Sequence, residues 1–226
     1  MTTALLDNIV WHTLTGPHAA FASGQAGARR YAAGFSPILG FEDRARPDFD
    51  ALHPHCATGQ HFYVEGWRGD IPPGWQLDAE QAMHQMLWRG PLPEAGALPG
   101  AVALGAEHEQ AALDLATLTK PGPFGPRTTQ LGEYLGWFDG PRLVAMAGER
   151  MRAGRLREIS GVCTHPEFQG RGLARRLMQE LLHRQMLRGE QPFLHVMADN
   201  VHAHALYARM GFGDHRETVV RVVTRL

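Results

Sequence analysis

Residues 165–178 read HPEFQGRGLARRLM, and this stretch constrains the fold more than any other. Leu173, Ala174, Leu177, Met178, Leu181, Leu182 and Met186 form one apolar stripe at helical spacing, and Gly189 ends it. The helix therefore begins on Gly170 and Gly172, although glycine is a poor helix former. Directly before it, LREISGVCT (156–164) has strand composition. A strand, a glycine turn and a helix in succession make a ready anion site. The first helical N–H groups have no intrahelical partner, and the dipole adds about half a positive charge at that end. Bare glycines let an anion approach the backbone without meeting a Cβ. A plain turn is the bland alternative.

The rest of the second half follows a regular order. EHEQAALDLATLT (107–119) predicts a helix that stops before KPGPFGPRT. In EYLGWFDGPRLVAMAGERM (133–151), Asp139-Gly140 predicts a hairpin. PFLHVMA (192–198) reads as a buried strand. DNVHAHALYARMGF (199–212) reads as a short helix capped by Asp199 or Asn200 and stopped by Gly211, and ETVVRVVTRL (217–226) as a closing strand. The first half is broken by turns; HFYVEGW (61–67) reads as a strand, and AMHQMLWRG (82–90) suits a strand or a short helix. GPLPEAGALPGAV (90–102) reads as a linker, dividing the chain into 1–100 and 101–226.

Net charge is −1, so no global field favours nucleic acid or an anionic membrane. Nine arginines nevertheless fall between residues 149 and 188, against four glutamates. That concentration suits a polyanionic small molecule. Solvated helix-face arginines remain the alternative for Arg176, Arg184 and Arg188. Two cysteines, Cys56 and Cys163, cannot build a disulfide framework, no signal peptide is visible, and no apolar run reaches the roughly 20 residues of a membrane span. A cytoplasmic protein without membrane or nucleic-acid partners is expected. No Gly-Lys-Ser/Thr follows the glycines, and the third position of G-x-G-x-x-G is Arg175, which weakens nucleotide and dinucleotide readings. HPHC (53–56) and HAH (202–204) suggest metal. No partner pair stands at ligand spacing, and His-x-His on a helix splits its rings between faces, so no metal is expected.

QGRGLA (169–174) resembles the Q/R-x-x-G-x-G/A motif of the GNAT acyl-CoA-dependent N-acyltransferases, through Gln169, Gly172 and Ala174. Asn200, Ala203 or Ala205, Tyr207 and Gly211-Phe212 resemble the family's later signature, with slightly altered spacing. The resemblance covers about residues 105–226 and is greatest to the FR47-like branch. It implies a mixed α/β fold with a largely antiparallel central sheet flanked by helices. Residues 1–100 would be a degenerate half of similar design or a wall of the acceptor site.

The resemblance also implies roles. The backbone of Gly170, Arg171, Gly172, Leu173 and Ala174 would hold the coenzyme A pyrophosphate, with Gln169 opening the loop and Arg175 following it. Val162 and Thr164 would bind the pantetheine arm by backbone hydrogen bonds, and the Val162 N–H would stabilise charge on the thioester oxygen. Asn200 would contact the cofactor. Glu158 is placed as general base and Tyr207 as general acid. Their structural alternatives are an ion pair of Glu158 with Arg155 or Arg157 and a packed tyrosine. Cys163 alternates away from Val162 and Thr164, against a covalent role. The expected activity is transfer of the acetyl group of acetyl-CoA, as co-substrate, to a primary amine by direct attack in a ternary complex. A small molecule or peptide would be the acceptor, and the protein would be a monomer or homodimer. A non-catalytic acyl-CoA-binding module is the alternative.

Overall fold

The computed structural model describes residues 2–226. Among them one sheet runs through the whole chain. Its strands are β1 (Ala22–Ser23), β2 (Ala28–Tyr31), β3 (Ile38–Phe41), β4 (His61–Glu65), β5 (Trp75–Trp88), β6 (Val102–Ala103), β7 (Tyr134–Asp139), β8 (Arg142–Ala153), β9 (Leu156–Thr164), β10 (Gln191–Met197) and β11 (Phe212–Arg225). Their spatial order is β1-β2-β3-β4-β11-β5-β10-β9-β8-β7-β6. Only β3–β4 and β9–β10 are parallel. The mixed α/β fold with a largely antiparallel sheet is as the sequence implied. The ambiguous segment at 82–90 is the end of β5, a 14-residue strand.

Four α-helices cover the sheet: α1 (Ile9–Thr15), α2 (Glu109–Thr119), α3 (Leu173–Leu187) and α4 (Val201–Met210). The periodicity of α3 explains its seat. Leu173, Leu177, Met178, Leu181 and Leu182 pack on Ile159, Leu194 and Val196 in one buried cluster. On a separate cluster, α2 buries Leu115 and Ala116 with Met146 and Cys163. Helix α1, which sequence periodicity did not single out, buries Ile9, Val10 and Leu14 against both halves, in one cluster with Tyr31 and Ile38 of the first and Met151 and Leu156 of the second.

The two halves repeat one succession: a helix, three strands, a crossover to a parallel strand, then a long final strand. In the second half the crossover is α3. In the first it is a 3-10 turn at Asp50–His55. The halves exchange their last strands: β5 stands between β10 and β11, and β11 stands between β4 and β5. The β5–β11 ladder runs from Phe212 opposite Trp88 to Arg225 opposite Trp75, so the linker at 90–102 does not divide the sheet.

Candidate active site

Strands β9 and β10 pair only from Leu156–Glu158 with Gln191–Phe193, and beyond that no ladder joins them. A cavity of about 410 Å³ opens at this splay. Its walls include Ser160, Gly161 and Val162 of β9, Leu194 to Met197 of β10, and Asn200, Ala203 and Tyr207 from the start and body of α4. The far wall comes from the first half, through Val10, Ile38, Tyr63 and Glu65. Lys120 to Pro123, after α2, close another side.

The β8–β9 register passes from Met146↔Cys163 to Gly148↔Ser160, so β9 holds one extra residue there. Gly161 adopts φ +63°, and a Cβ on it would stand 3.0 Å from the Tyr134 ring. Only glycine fits this bulge comfortably. The extra residue leaves the backbone at Gly161–Val162 out of regular pairing, on the cavity wall. Val162 and Thr164 are half-buried, and Thr164 O accepts from Gln169 Nε2 at 3.5 Å.

Beyond β9 the chain turns through Gly170 (φ +77°) to Gly172 (φ +72°), which caps α3 with no side-chain hydrogen bond. A Cβ at either glycine would meet nothing within 4 Å. The space over the helix N-terminus is therefore open, and the first-turn amides, Leu173 to Arg175, are unclaimed within the helix. Gln169, Gly170, Arg171 and Arg175 are exposed, while Leu173 anchors the turn in the core and Ala174 is half-buried. Arg171 lies over the Phe168 ring at 4.5 Å. This loop fits a pyrophosphate on three counts: open glycines, an uncapped dipole and adjacent guanidinium groups.

Most of the arginine cluster is not available to an anion, which corrects the sequence expectation. Arg150 binds Glu158, Arg157 binds Glu190, and Arg184 and Arg188 bind Glu133. Glu133 and Glu190 lie outside the window where the charges concentrate, so the sequence tally misses the neutralisation. Arg155 donates to Gly189 O at 2.6 Å. Arg171, Arg175 and Arg176 remain at the junction.

Glu158 lies behind the cavity wall, fully buried. It accepts from Arg150 Nε at 3.0 Å and Nη2 at 2.7 Å, and from Met151 N at 3.0 Å. His195 Nδ1 is 2.8 Å from its Oε1. Its ion-pair partner is thus Arg150 on the neighbouring strand. Alternation along β9 sends Arg157 to the other face. Burial alone would raise the Glu158 pKa, but Arg150 and the His195 hydrogen bond outweigh it and hold the carboxyl well below the usual range.

His195, which sequence reasoning did not single out, stands between this carboxylate and the cavity. Its Nε2 is 3.1 Å from Gln85 Nε2 and 3.7 Å from Glu65 Oε2. Glu65 is also bound by Arg216 Nη2 at 3.2 Å. Nothing in the local pattern of PFLHVMA marks this histidine, because its partners come from β4, β5 and β9.

Tyr207 lies on the wall, edge-on to Phe212. Burial, with a smaller contribution from Cys163, pushes its phenol up to about 12, so it stays protonated at neutral pH. Asn200 is also on the wall, and its Oδ1 caps α4 by accepting from Ala203 N at 3.1 Å. Cys163 is buried, and its thiol is pushed up to about 11 by that burial, which suits an inert side chain.

A bulged strand, a splayed parallel partner and a glycine loop at a helix N-terminus together define an α/β architecture with a cleft beside an anion-accepting turn. The FR47-like protein family matches residues 134–222. A protein of Novosphingobium aromaticivorans DSM 12444, described as an acetyltransferase from the GNAT family, is 33% identical, with a TM-score of 0.87 over 98% of each chain. The chain belongs to the GNAT family, in its FR47-like branch. A GCN5-related N-acetyltransferase-like protein of Streptococcus suis 89/1591 shares the fold, with a TM-score of 0.59 over 96% of this chain and 92% of that one at 13% identity. N-alpha-acetyltransferase RimI of Mycobacterium tuberculosis (strain ATCC 25618 / H37Rv) is 41% identical over 83 residues. That match covers 35% of this chain and spans about half the relative's length, 51%.

Proposed function

We propose that the protein transfers the acetyl group of acetyl-CoA to a primary amine, by direct attack within a ternary complex. The observation that carries this reading is the bulge at Gly161–Val162, set on the cavity wall eight residues before the bare-glycine turn of α3. The co-substrate supplies the activated acyl group as a thioester. The amides from Gly170 to Ala174 bind its pyrophosphate, with Gln169 and Arg175 at the two ends of the loop. Backbone groups of Val162 and Thr164 hold the pantetheine arm, and the Val162 N–H faces the carbonyl. Asn200 fixes the start of α4. Tyr207 donates its proton toward the departing sulfur.

His195 takes the proton from the amine, directly or through one water. Glu158 stays ionised and keeps the ring's other hydrogen on Nδ1, so Nε2 is the basic nitrogen. Glu158 then acts as a positioning residue, and the base role read from the sequence passes to its neighbour. Glu65 attracts the ammonium form of the acceptor. Residues 1–100 serve both as a degenerate half of the family's design and as the acceptor wall, supported by the repeated succession and by Tyr63 and Glu65 on the cavity.

Calorimetry with coenzyme A, followed by free-thiol detection across a panel of small amines and peptide N-termini, tests the reading. Binding with thiol release to at least one amine is expected, and His195→Gln and Tyr207→Phe should each slow release without weakening coenzyme binding. No coenzyme A binding would sink the reading altogether. Binding without release to any amine would leave the non-catalytic acyl-CoA-binding module.

A further inference from the structure

On the α4 side of the sheet, His204 Nε2 lies 2.8 Å from Asp214 Oδ1. The His84 ring of β5 stands beside His204, 4.8 Å between centroids and tilted 47°. One donor atom from each of the three residues lies within 4.8 Å of the others. His84 shares its face of β5 with Met86 and Trp88, which belong to the core beneath α3 and α4. Asp214 opposes Met86, and the register then jumps to Gln85↔Arg216, so a bulge at His215 follows the carboxylate directly. Glu217 opposes His84 and adds a second, exposed carboxylate on that face.

We propose that His84, His204 and Asp214 bind a divalent transition-metal ion, with Zn²⁺ as the fitting probe. Two imidazoles and a carboxylate are a common zinc donor set, and three protein ligands leave a fourth position for water. Metal–ligand bonds of about 2.0–2.2 Å place the donors of a tetrahedral site roughly 3.4 Å apart. The pair now at 2.8 Å must open slightly, and no separation has to close by more than about 1.4 Å. Side-chain rotation of two half-buried histidines and an exposed aspartate can supply both. The ion takes the Nε2 lone pair of the neutral His204 imidazole, whose single hydrogen then sits on Nδ1, and it replaces the hydrogen bond to Asp214 as the link between the two side chains. His204 is three residues from Tyr207 on the same helix, so the ion fastens α4 to β5 and β11 from outside the cavity. Its role is to hold the helix that carries the phenol.

The test uses the full chain without a histidine tag, stripped by a chelator and dialysed. Zn²⁺ affinity is read by competition with a chromophoric chelator, Co²⁺ by its visible spectrum, and α4 by amide exchange with and without Zn²⁺. One equivalent of metal, a tetrahedral Co²⁺ spectrum and slower exchange across 201–210 are expected. His84→Ala and His204→Ala should each weaken Zn²⁺ by more than about tenfold, since even outer partners of ligands cost that much. His202→Ala, on the same helix but outside the cluster, should bind as the wild type. Binding by wild type no tighter than by the folded His84→Ala/His204→Ala double variant overturns the site. So does loss of binding in His202→Ala.

Discussion

Both halves of the sheet follow the same path, but only one can hold an anion. In the second half the crossover from β9 is the 15-residue α3, entered through Gly170 and Gly172. In the first half the crossover from β3 is a six-residue 3-10 turn with Pro54 inside it. The sheet geometry survived in both. The dipole and the row of free amides need a full helix, and they exist only in the second. What the first half offers instead is side chains: Tyr63 and Glu65 on the cavity, across from β9. On the function proposed above, the difference puts coenzyme binding on the backbone of one half and acceptor contact on the side chains of the other.

The largest expected effect tests the ion pair behind the cavity. Glu158→Ala leaves Arg150 buried and unpaired, and should cost about 3–5 kcal/mol in chemical denaturation. A loss under about 1 kcal/mol would mean that water reaches the pair. Next comes the division of labour. Gly172→Val forces a β-branched residue to φ +72° and puts methyl groups over the open loop. Coenzyme A affinity should fall about tenfold or more, equivalent to about 1.4 kcal/mol, in calorimetry. Glu65→Gln should raise the acceptor KM by a similar factor while leaving coenzyme affinity untouched. If Glu65→Gln weakens coenzyme binding instead, the assignment of the two halves is wrong.

Acid should separate the halves as well. His18, in the first half, accepts or donates a 2.9 Å hydrogen bond with the Tyr31 hydroxyl. Burial, then the charges of Arg152 and Arg157, push its pKa down from 6.5 to about 4. The unfolded chain binds that proton first. The stability tied to neutral His18 is therefore full above about pH 6.5 and lost as pH falls toward 4. The stability tied to ionised Glu158 is full above about 4.5 and lost only below it, as pH falls toward its depressed folded value. Denaturation midpoints of His18→Gln should therefore vary less than wild type between pH 6.5 and 4, and equally below that. The smallest effect is expected at Glu80→Ala, which breaks the partly exposed pair with Arg221 at 2.6 Å on the β5–β11 seam. It should cost at most about 1 kcal/mol by thermal melting.

Local chemistry was legible where one segment carries the whole signal. The Asp139-Gly140 turn, the α3 stripe, the Asn200 cap and the Gly211 stop all stand where residue type and spacing put them. The first-half elements were harder to read. The strand at 61–65 was readable, but strands of two to four residues carry too few alternations, and α1 is only seven residues long. In the site, Tyr207 and the glycine loop could be located from sequence because each belongs to a contiguous motif. His195 could not, because its meaning depends on Glu158, Gln85 and Glu65 arriving from three other strands. The same holds for His204, which looked unsupported in HAH until His84 and Asp214 closed around it.

The sequence by itself determined the strand–glycine–helix unit, because φ preferences and helix dipoles are properties of a few adjacent residues. It also determined the family. The tertiary structure decided which charges are free. Arg150 meets Glu158 across the β8–β9 ladder, and Arg157, Arg184 and Arg188 share Glu133, Glu149 and Glu190, which only the folded chain brings together. It decided, too, that the last strands of the two halves change places, since strand pairing is settled by which edge is open when the sheet closes.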